Sequence, residues 1–308
     1  MKRSDEIRCK ESVRKIHGRF EYYDNIPEKG FFIEGKPALT QIDTSKVGDY
    51  VIVMVRDALC SYGDDPAKVV AGRLENAELI GCSGMYTSYS GYYKGAHVSA
   101  VSGGSGAPEM EMILYDYMEH TDAGTFIRLG GSGGFGDNVE PGDLVISSGA
   151  VRAEGMTQAY IEAGYPASSH YEVVLAMVQA AQSIGQPYHV GVTVSSDSDY
   201  VGGGRPGVGG YLQPWNIEKA GVYNRAGCLN GDRESSAIIT LSALFGRRGG
   251  SVCSVSDNIC TGRRFTAGVG HNYALDVVLE GIAILHKMDE QKAGARYWHP
   301  GLCRKEDI

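Results

Sequence analysis

Short runs of consecutive apolar residues recur along the chain and predict strands that are buried on both faces. The first run is Tyr-Val-Ile-Val-Met-Val at residues 50–55. Neither face of such a strand meets water, which is typical of a strand inside a parallel or mixed sheet. Similar runs predict further strands at residues 125–129, 143–151, 189–194 and 250–256.

A second group of strands and a set of helices fill the intervals between these runs. Alternating or apolar stretches bounded by glycine turns predict strands at residues 78–82, 85–91 and 97–102. Apolar positions at helical spacing, with Pro108 at one helix start and Gly185 and Gly246 at helix ends, predict helices. The predicted helices cover residues 69–77, 108–119, 170–184, 234–245 and 267–288.

The alternation of strands and helices predicts the fold class. We expect a single α/β domain with helices on both faces of a central mixed β-sheet, which is a three-layer αβα arrangement. Residues 1–35 are polar and mixed in charge, and we interpret them as an N-terminal extension with a helix at residues 10–23. The folded domain is expected to span residues 36–308. In such folds, ligands bind at the carboxyl ends of the strands.

Composition and charge narrow the class of protein. The 43 glycines among 308 residues are about double the usual share of roughly 7%, and they cluster after apolar runs. A formal net charge of −8 gives no support to nucleic-acid binding. The seven cysteines have no CxxC spacing, which predicts reduced thiols in a cytoplasmic protein without a metal site. We expect neither a secretory signal nor a membrane span.

One strand carries a single cation and then runs into glycines. Arg128 lies in Phe-Ile-Arg-Leu-Gly-Gly-Ser-Gly-Gly at residues 126–134, and a second glycine-rich loop at residues 103–106 precedes the helix that starts at Pro108. An arginine beside exposed backbone N–H groups is suited to holding an anion. The alternative is a structural arginine that pairs with a nearby carboxylate, and the spacing leaves both interpretations open.

Two carboxylates are candidates for chemistry at the same edge of the sheet. Glu234 opens a predicted helix, where it either caps the helix or accepts hydrogen bonds from a vicinal diol such as that of ribose. Asp257 follows a predicted buried strand, where it is either a capping residue or an acid that donates a proton to a ligand. The sequence offers no credible nucleophile, because no Cys is obviously paired with a His.

Five motifs in the same order resemble the uridine phosphorylase and hexameric purine nucleoside phosphorylase family. Residues 126–133 resemble its "IRxGT/SxG" signature, residues 104–108 its "GxGxP" loop and residues 232–237 its "EMES/A" motif. Residues 190–200 resemble its base-site strand, and residues 254–257 resemble the "TVSD" of the purine enzymes. The spacing of the motifs agrees over most of the chain.

The resemblance implies an activity and roles for individual residues. Members of this family cleave the N-glycosidic bond of nucleosides with phosphate as co-substrate and no other cofactor, and they form dimers or hexamers. By position, Arg128 would hold phosphate, Glu234 would bind the ribose hydroxyls and Asp257 would assist a purine-like leaving group. The residues that the resemblance places around the substrate are Gly104, Arg128, Gly131, Ser132, Tyr200, Arg205, Asp232, Arg233, Glu234 and Asp257.

The sequence also departs from the family pattern at the anion site and the base site. The stretch at residues 55–59 lacks the glycine and arginine of the family's "GDPxR" loop, and no arginine occurs near Met85, where a neighbouring subunit would lend one. Arg233 replaces the methionine of "EME", Asp199 replaces a stacking phenylalanine, and a glycine near Gly203 replaces a glutamine that reads uracil.

These departures leave three hypotheses for the function. The first is a nucleoside phosphorylase acting on a purine- or uridine-like ribonucleoside, with an anion site rearranged around Arg233. The second is a ribosyl hydrolase that uses water and does not need phosphate. The third is a homologue that binds a nucleoside without catalysis. The resemblance also implies a homo-oligomer whose ligands are small molecules.

Overall fold

The computed structural model describes residues 3–8, 10–20, 29–57 and 63–303 of the chain. Within these ranges the strands are β1 Phe32–Ile33, β2 Lys36–Pro37, β3 Tyr50–Val55, β4 Glu75–Cys82, β5 Thr87–Tyr93, β6 Ala96–Gly103, β7 Thr125–Gly134, β8 Leu144–Ala153, β9 Ala167–Ser168, β10 Tyr188–Ser196, β11 Cys228–Asp232 and β12 Arg248–Asn258. The α-helices of the same ranges are α1 Arg3–Arg8, α2 Glu11–His17, α3 Pro66–Ala71, α4 Ala107–His120, α5 Met156–Tyr160, α6 Tyr171–Ile184, α7 Pro214–Arg225, α8 Ser235–Leu244 and α9 His271–Lys292.

A mixed sheet runs through the middle of the molecule. Strand β3 pairs in parallel with β6 and β7, and β7 pairs in parallel with β12. Strands β5 and β4 continue the sheet beyond β6 in antiparallel fashion. On the other side, β8 pairs antiparallel with β12 and parallel with β10, which in turn pairs in parallel with β11.

The last residues of β7 close part of this sheet into a ring. Gly133 and Gly134 pair antiparallel with Gly231 and Asn230 of β11. Strands β7, β12, β8, β10 and β11 therefore form a closed circle of paired strands. The carboxyl ends of β7, β10, β11 and β12 meet at one rim of this ring, which is where ligand sites of α/β folds lie.

Helices cover both faces of the sheet, as the side-chain alternation of β3 requires. Tyr50, Ile52 and Met54 point to a core formed with α6 and α9. Val51, Val53 and Val55 point to the opposite core formed with α4 and α8. Successive side chains of a strand face opposite sides, so a continuous apolar run belongs between two helical layers. The predicted αβα fold with a central mixed sheet is confirmed.

The predicted element bounds differ from the structure in several places. The helix predicted at residues 69–77 is wrong, because α3 begins at Pro66 and ends at Ala71, and β4 has begun by Glu75. Asp65 caps this helix by accepting hydrogen bonds from the backbone N–H groups of Ala67 and Lys68. Strand β11 and helix α7 lie in a segment for which no element was predicted.

The N-terminal region contains two short helices and a hairpin. The helix predicted at residues 10–23 is observed as Glu11–His17, and residues 21–23 lie outside the described part of the chain. Strands β1 and β2 pair across the predicted boundary between residues 35 and 36, which stays a prediction. No α-helix in the described ranges is long and apolar enough to cross a membrane.

Candidate active site

A cavity of about 330 Å³ opens at the rim where the carboxyl ends of β7, β10, β11 and β12 meet. It brings together nine of the ten side chains or backbone positions that the sequence predicted around a substrate. These are Arg128, Gly131, Ser132, Tyr200, Arg205, Asp232, Arg233, Glu234 and Asp257. Gly104 does not line the cavity, whereas its neighbour Ser105 does. A side chain at Gly104 would instead collide with Glu109.

Arg128 lies inside β7 and is almost completely buried. Its Nη2 donates to Oε2 of Glu234 at 2.8 Å, and its Nη1 donates to the carbonyl of Leu129 at 2.6 Å. The glycines that follow continue the strand to Gly134 rather than ending it at residue 129, as the sequence had predicted. A Cβ atom at Gly130 would collide with the Arg128 guanidinium, so glycine there lets the arginine fold back over its own strand.

Glu234 connects three elements of the site. Its Oε1 accepts hydrogen bonds from the Gly106 backbone N–H at 2.7 Å and from Ser105 Oγ at 3.0 Å, while Oε2 accepts from Arg128. Burial opposes the charged form, but Arg128 and the Gly106 N–H outweigh it and hold the pKa of Glu234 below its ordinary value. Oε2 therefore keeps one lone pair for a hydroxyl group in the cavity.

Asp232 supplies a second buried carboxyl near Arg128. Its Oδ2 lies 3.9 Å from Arg128 Nε and accepts a hydrogen bond from Ser235 Oγ at 2.6 Å, while its Oδ1 accepts from Ser195 Oγ at 2.7 Å. Burial and the negative charge of Glu234 raise the pKa of Asp232 above its ordinary value. The two carboxyl groups thus differ in role, since Glu234 carries the charge opposite Arg128.

An ion pair occupies the end of the cavity that the resemblance assigns to the base. Arg205 Nη2 donates to Asp257 Oδ2 at 2.6 Å. Gly133 of β7 lies directly beneath the pair, because an added Cβ would come within 2.8 Å of Asp257 Oδ1 and 3.2 Å of Arg205 Nη2. The resemblance places both residues around the substrate, and the structure makes them a single donor–acceptor unit.

A second ion pair lies near the opening of the cavity. Arg233 Nη1 is 3.2 Å from Asp199 Oδ2 and 3.4 Å from Ser105 Oγ. Both members of this pair are departures from the family motifs. Tyr200, which follows Asp199, is two-thirds exposed at the rim, beside the glycine-rich segment of residues 201–210. That segment contains two short 3-10 turns and otherwise forms the predicted loop.

The hydroxyl of Ser132 is engaged in a buried hydrogen-bond chain. Its Oγ donates to the carbonyl of Ser254 at 2.9 Å and accepts from Asn230 Nδ2 at 2.9 Å. Asn230 Oδ1 in turn accepts from Thr193 Oγ1 at 2.8 Å. The proton of the Ser132 hydroxyl is thus already used inside the sheet, although the residue lines the cavity next to Gly131.

Several lining residues were not predicted from the sequence. Ser105 lies in the glycine-rich loop at residues 103–106, which the sequence analysis identified as part of a candidate anion site. That loop was the sequence signal that could have predicted Ser105 as a lining residue. Aromatic side chains in the lining include Phe135 just after β7, Tyr223 in α7 and Phe265 in the loop between β12 and α9, which share no local motif. Only the closure of the strand ring and the packing of α7 bring these three rings together.

The connection from β3 to α3 revises one of the departures noted in the sequence. The helix opens at Pro66 after Gly63, Asp64 and Asp65, so the junction carries a glycine, acids, a proline and then Lys68 in the order of the "GDPxR" loop. Residues 63–68 are therefore a second candidate for its counterpart, with an additional Asp and with Lys68 in place of the arginine. Lys68 pairs with Asp64 at 2.7 Å and does not line the cavity.

The chemistry of the site rests on charged and polar groups. Burial raises the pKa of the Cys253 thiol to about 12, and such a thiol is a poor nucleophile because it stays protonated. Among the described residues, no group of three or more His, Cys, Asp or Glu side chains is arranged to hold a metal ion. What the cavity offers is three arginines, each facing a carboxylate.

Comparison with known proteins identifies the family. Residues 63–274 match the model of the phosphorylase superfamily. The uridine phosphorylase of Thermococcus kodakarensis is 37% identical over 242 residues, which cover 77% of this chain and 86% of that protein. The guanosine phosphorylase of Halorubrum lacusprofundi is 28% identical over 202 residues, which cover 65% and 78% of the two chains. The family predicted from the sequence motifs is confirmed, and this chain belongs to the phosphorylase superfamily.

Proposed function

We propose that this protein is a nucleoside phosphorylase that transfers the ribosyl group of a purine- or uridine-like ribonucleoside to phosphate. The observation that carries the proposal is the buried Arg128–Glu234 pair at 2.8 Å, which faces the cavity from the family's signature strand and helix start. The relatives named as uridine and guanosine phosphorylases support the same reaction class. The proposed catalytic domain spans residues 36–308.

The arrangement of charges fits a reaction through a cationic sugar. Cleavage of an N-glycosidic bond develops positive charge on the ribosyl ring and negative charge on the leaving base. Phosphate held near Arg128 would stabilise the cation and attack C1′, while Glu234 Oε2 would accept a ribose hydroxyl. Arg205 and Asp257 would stabilise or protonate the departing base. Positioning and fixed charges would provide the catalysis without a covalent enzyme intermediate.

The remaining residues of the cavity have proposed binding roles. Gly131 gives the sugar or phosphate access to the backbone of β7, and Ser132 holds that backbone in place through Ser254. Asp232 helps to orient Arg128 from its position 3.9 Å from Nε. Tyr200 lies at the rim, where it would cover the base.

We further propose a cytoplasmic homo-oligomer, a dimer or a hexamer, that needs no cofactor besides phosphate. Free thiols at Cys82, Cys228, Cys253, Cys260 and Cys303 are typical of a reducing compartment. Apolar side chains are exposed on the β1 hairpin and along the edge strand β4, as Phe31, Ile33 and Leu79 are more than half exposed. Such side chains beside a sheet edge favour an interface between subunits. Light scattering coupled to gel filtration tests the subunit number.

A nucleoside panel tests the reaction. The protein is incubated with uridine, guanosine, inosine and adenosine, with and without inorganic phosphate, and free base and ribose 1-phosphate are quantified. We expect release of base that requires phosphate and forms ribose 1-phosphate in equal amount. Release of base and free ribose without phosphate would instead identify a hydrolase. No release under either condition would contradict the proposal.

A further inference from the structure

The three arginines of the cavity differ in how completely they are paired. Arg128 is buried and held by Glu234 and by a backbone carbonyl. Arg205 has a short contact of 2.6 Å with Asp257. Arg233 has only a 3.2 Å contact with Asp199 and a 3.4 Å contact with Ser105. Arg233 therefore has the longest, and so the weakest, contacts with its carboxylate partner among the three arginines.

Arg233 also carries an unused donor. Its Nε is buried and has no hydrogen-bond partner among the described residues. A buried N–H of a charged group without a partner is unfavourable, so a ligand that supplies an acceptor there gains a charge-assisted hydrogen bond. Asp199 provides little compensation, because its side chain is 55% exposed and water screens the attraction of such a pair.

The guanidinium of Arg233 lies against the glycine loop that precedes α4. An added Cβ at Gly106 would come within 3.2 Å of Arg233 Nη2. Ser105 Oγ, which Arg233 contacts, donates to the same Glu234 that pairs with Arg128. Arg128 contacts Glu234 directly, and Arg233 is connected to the same carboxylate through Ser105. Both arginines line the same cavity.

We propose that Arg233 binds a phosphoryl group in this cavity and acts with Arg128 as the second cation of the anion site. The proposal rests on the proposed function and names a ligand for a residue that the family motif does not use for this purpose. An incoming phosphoryl group replaces Asp199 and offers several oxygens to the Nε and Nη atoms of the guanidinium. Arginine and phosphate form such bidentate contacts with strong, charge-assisted hydrogen bonds.

The phosphoryl group has two possible sources, which the experiment separates. One is free inorganic phosphate as co-substrate, and the other is the 5′-phosphate of a nucleoside monophosphate. The variants are Arg233→Met, which removes the charge at similar length, Arg233→Lys and Asp199→Asn. Arg73→Met is the matched control, because Arg73 forms an exposed ion pair with Asp276 and does not line the cavity.

Binding of inorganic phosphate is measured by calorimetry, which does not depend on turnover, and KM values are measured for phosphate, uridine, guanosine, UMP and GMP. We expect Arg233→Met to weaken phosphate binding about 10- to 100-fold, the loss of one charge-assisted contact. The KM for nucleosides should change less than threefold. The phosphate affinity of Arg233→Lys should lie between those of Arg233→Met and the wild type. Asp199→Asn should bind phosphate more tightly than the wild type, and Arg73→Met should bind it equally well.

The outcomes separate the two sources from each other and from failure of the proposed function. If phosphate binding is unchanged but cleavage of UMP or GMP falls at least tenfold in Arg233→Met, the phosphoryl group is the substrate's own. Circular dichroism checks that Arg233→Met is folded. If this variant binds phosphate and cleaves UMP and GMP as the wild type does, the proposal is overturned. If no substrate is cleaved by any variant, the proposed function fails, while calorimetry with phosphate still decides the role of Arg233.

Discussion

At the scale of single residues, the site is defined by which carboxylate each arginine faces. Glu234 is fixed by Arg128, Gly106 and Ser105, and it carries the negative charge of the buried pair. Asp232 lies 3.9 Å from Arg128 Nε, and burial raises its pKa. The sequence left open whether Arg128 is an anion clamp or a structural arginine. The structure shows it paired with a carboxylate and lining the cavity, so the pair itself belongs to the site.

Replacing Glu234 tests the ribose-binding carboxylate. Glu234→Gln keeps the shape and acceptor of the side chain but removes the charge that orients Arg128 and attracts a sugar hydroxyl. We expect kcat/KM for the nucleoside to fall about 100-fold or more, equivalent to about 2.7 kcal/mol or more of transition-state stabilisation. The variant should still fold, because Asp232 lies 3.9 Å from Arg128 and can balance its charge.

The matched control for this variant is Glu109→Gln. Glu109 lies beside the same glycine loop and accepts a hydrogen bond from Tyr86 OH at 2.6 Å, but it does not line the cavity. Its substitution should leave kcat/KM within a few fold of the wild type. Near-normal turnover of Glu234→Gln in the same assay would remove Glu234 from the catalytic site.

Replacing Asp257 tests proton donation to the base. Asp257→Asn still accepts the hydrogen bond from Arg205, but it cannot transfer a proton. We expect kcat for guanosine to fall about 10²- to 10⁴-fold, the usual contribution of a general acid, with a smaller change in KM. Steady-state kinetics with guanosine and uridine measure the effect. An unchanged kcat with a raised KM would limit Asp257 to a binding role.

At the scale of elements, glycine decides where strands and helices can end or approach each other. The glycines of β7 do not end the strand. Their lack of a side chain leaves space for the side chains of Arg128, Arg205 and Asp257. In α6 a glycine has a different function. Gly185 ends the helix in the left-handed region with φ of 77°, and its N–H bonds to the carbonyl of Ala181. Such a position favours glycine for conformational reasons alone.

Two alanine variants, at Gly185 and at a control glycine, test whether the positive φ at Gly185 affects the free energy of unfolding. An added Cβ at Gly185 meets no atom within 4 Å, so Gly185→Ala changes the backbone energy without a steric clash. We expect a loss of about 1 kcal/mol in the free energy of unfolding. Gly124→Ala is the control, since Gly124 also has open space but no positive φ, and urea titration should show a change below about 0.5 kcal/mol. Equal losses in the two variants would contradict the explanation.

At the scale of the whole molecule, ionic networks lie at opposite edges of the sheet. The cavity is at the carboxyl ends, whereas a second network lies where β3 and β12 begin. There Arg248 donates to Glu172 at 2.9 Å and to Asp289 at 2.6 Å, and Lys292 donates to both acids. This network ties α6, α9 and β12 together. Its partners hold the pKa of Asp289 down to about 2 although burial opposes the charge.

This second network predicts the response of stability to acid. The pKa of Asp289 is lower in the folded chain than its ordinary value of about 3.9, so its contribution is complete above pH 4 and is lost as pH falls towards 2. We expect this group to account for about 2 kcal/mol of the free energy of unfolding lost over that range. Urea titrations at pH 5, 4, 3 and 2 measure it. Asp289→Asn should show a shallower dependence, and an identical slope would contradict the assignment.

The sequence predicted the core strands, most helices and the family, because these depend on local patterns. Continuous apolar runs imply burial on both faces, and the glycine and arginine motifs lie within short segments. The bounds of α3 were wrong because Asp65 and Pro66 start the helix earlier than apolar spacing suggests. Strand β11 was not predicted, because its asparagine, glycine and aspartate are stabilised by neighbouring strands rather than by their own propensity.

The sequence by itself determined that Arg128, Glu234 and Asp257 belong to the carboxyl edge of an αβα sheet, since motif order and strand position require no contact information. Only the tertiary structure decided which charges meet. Arg205 and Asp257 are separated by 52 positions, and Arg233 and Asp199 by 34. The closed strand ring brings these residues to one rim, and ion pairing depends on distance in space, which no local pattern encodes. The ring therefore brings isolated charged residues to one cavity, where we propose an anion site that includes Arg233.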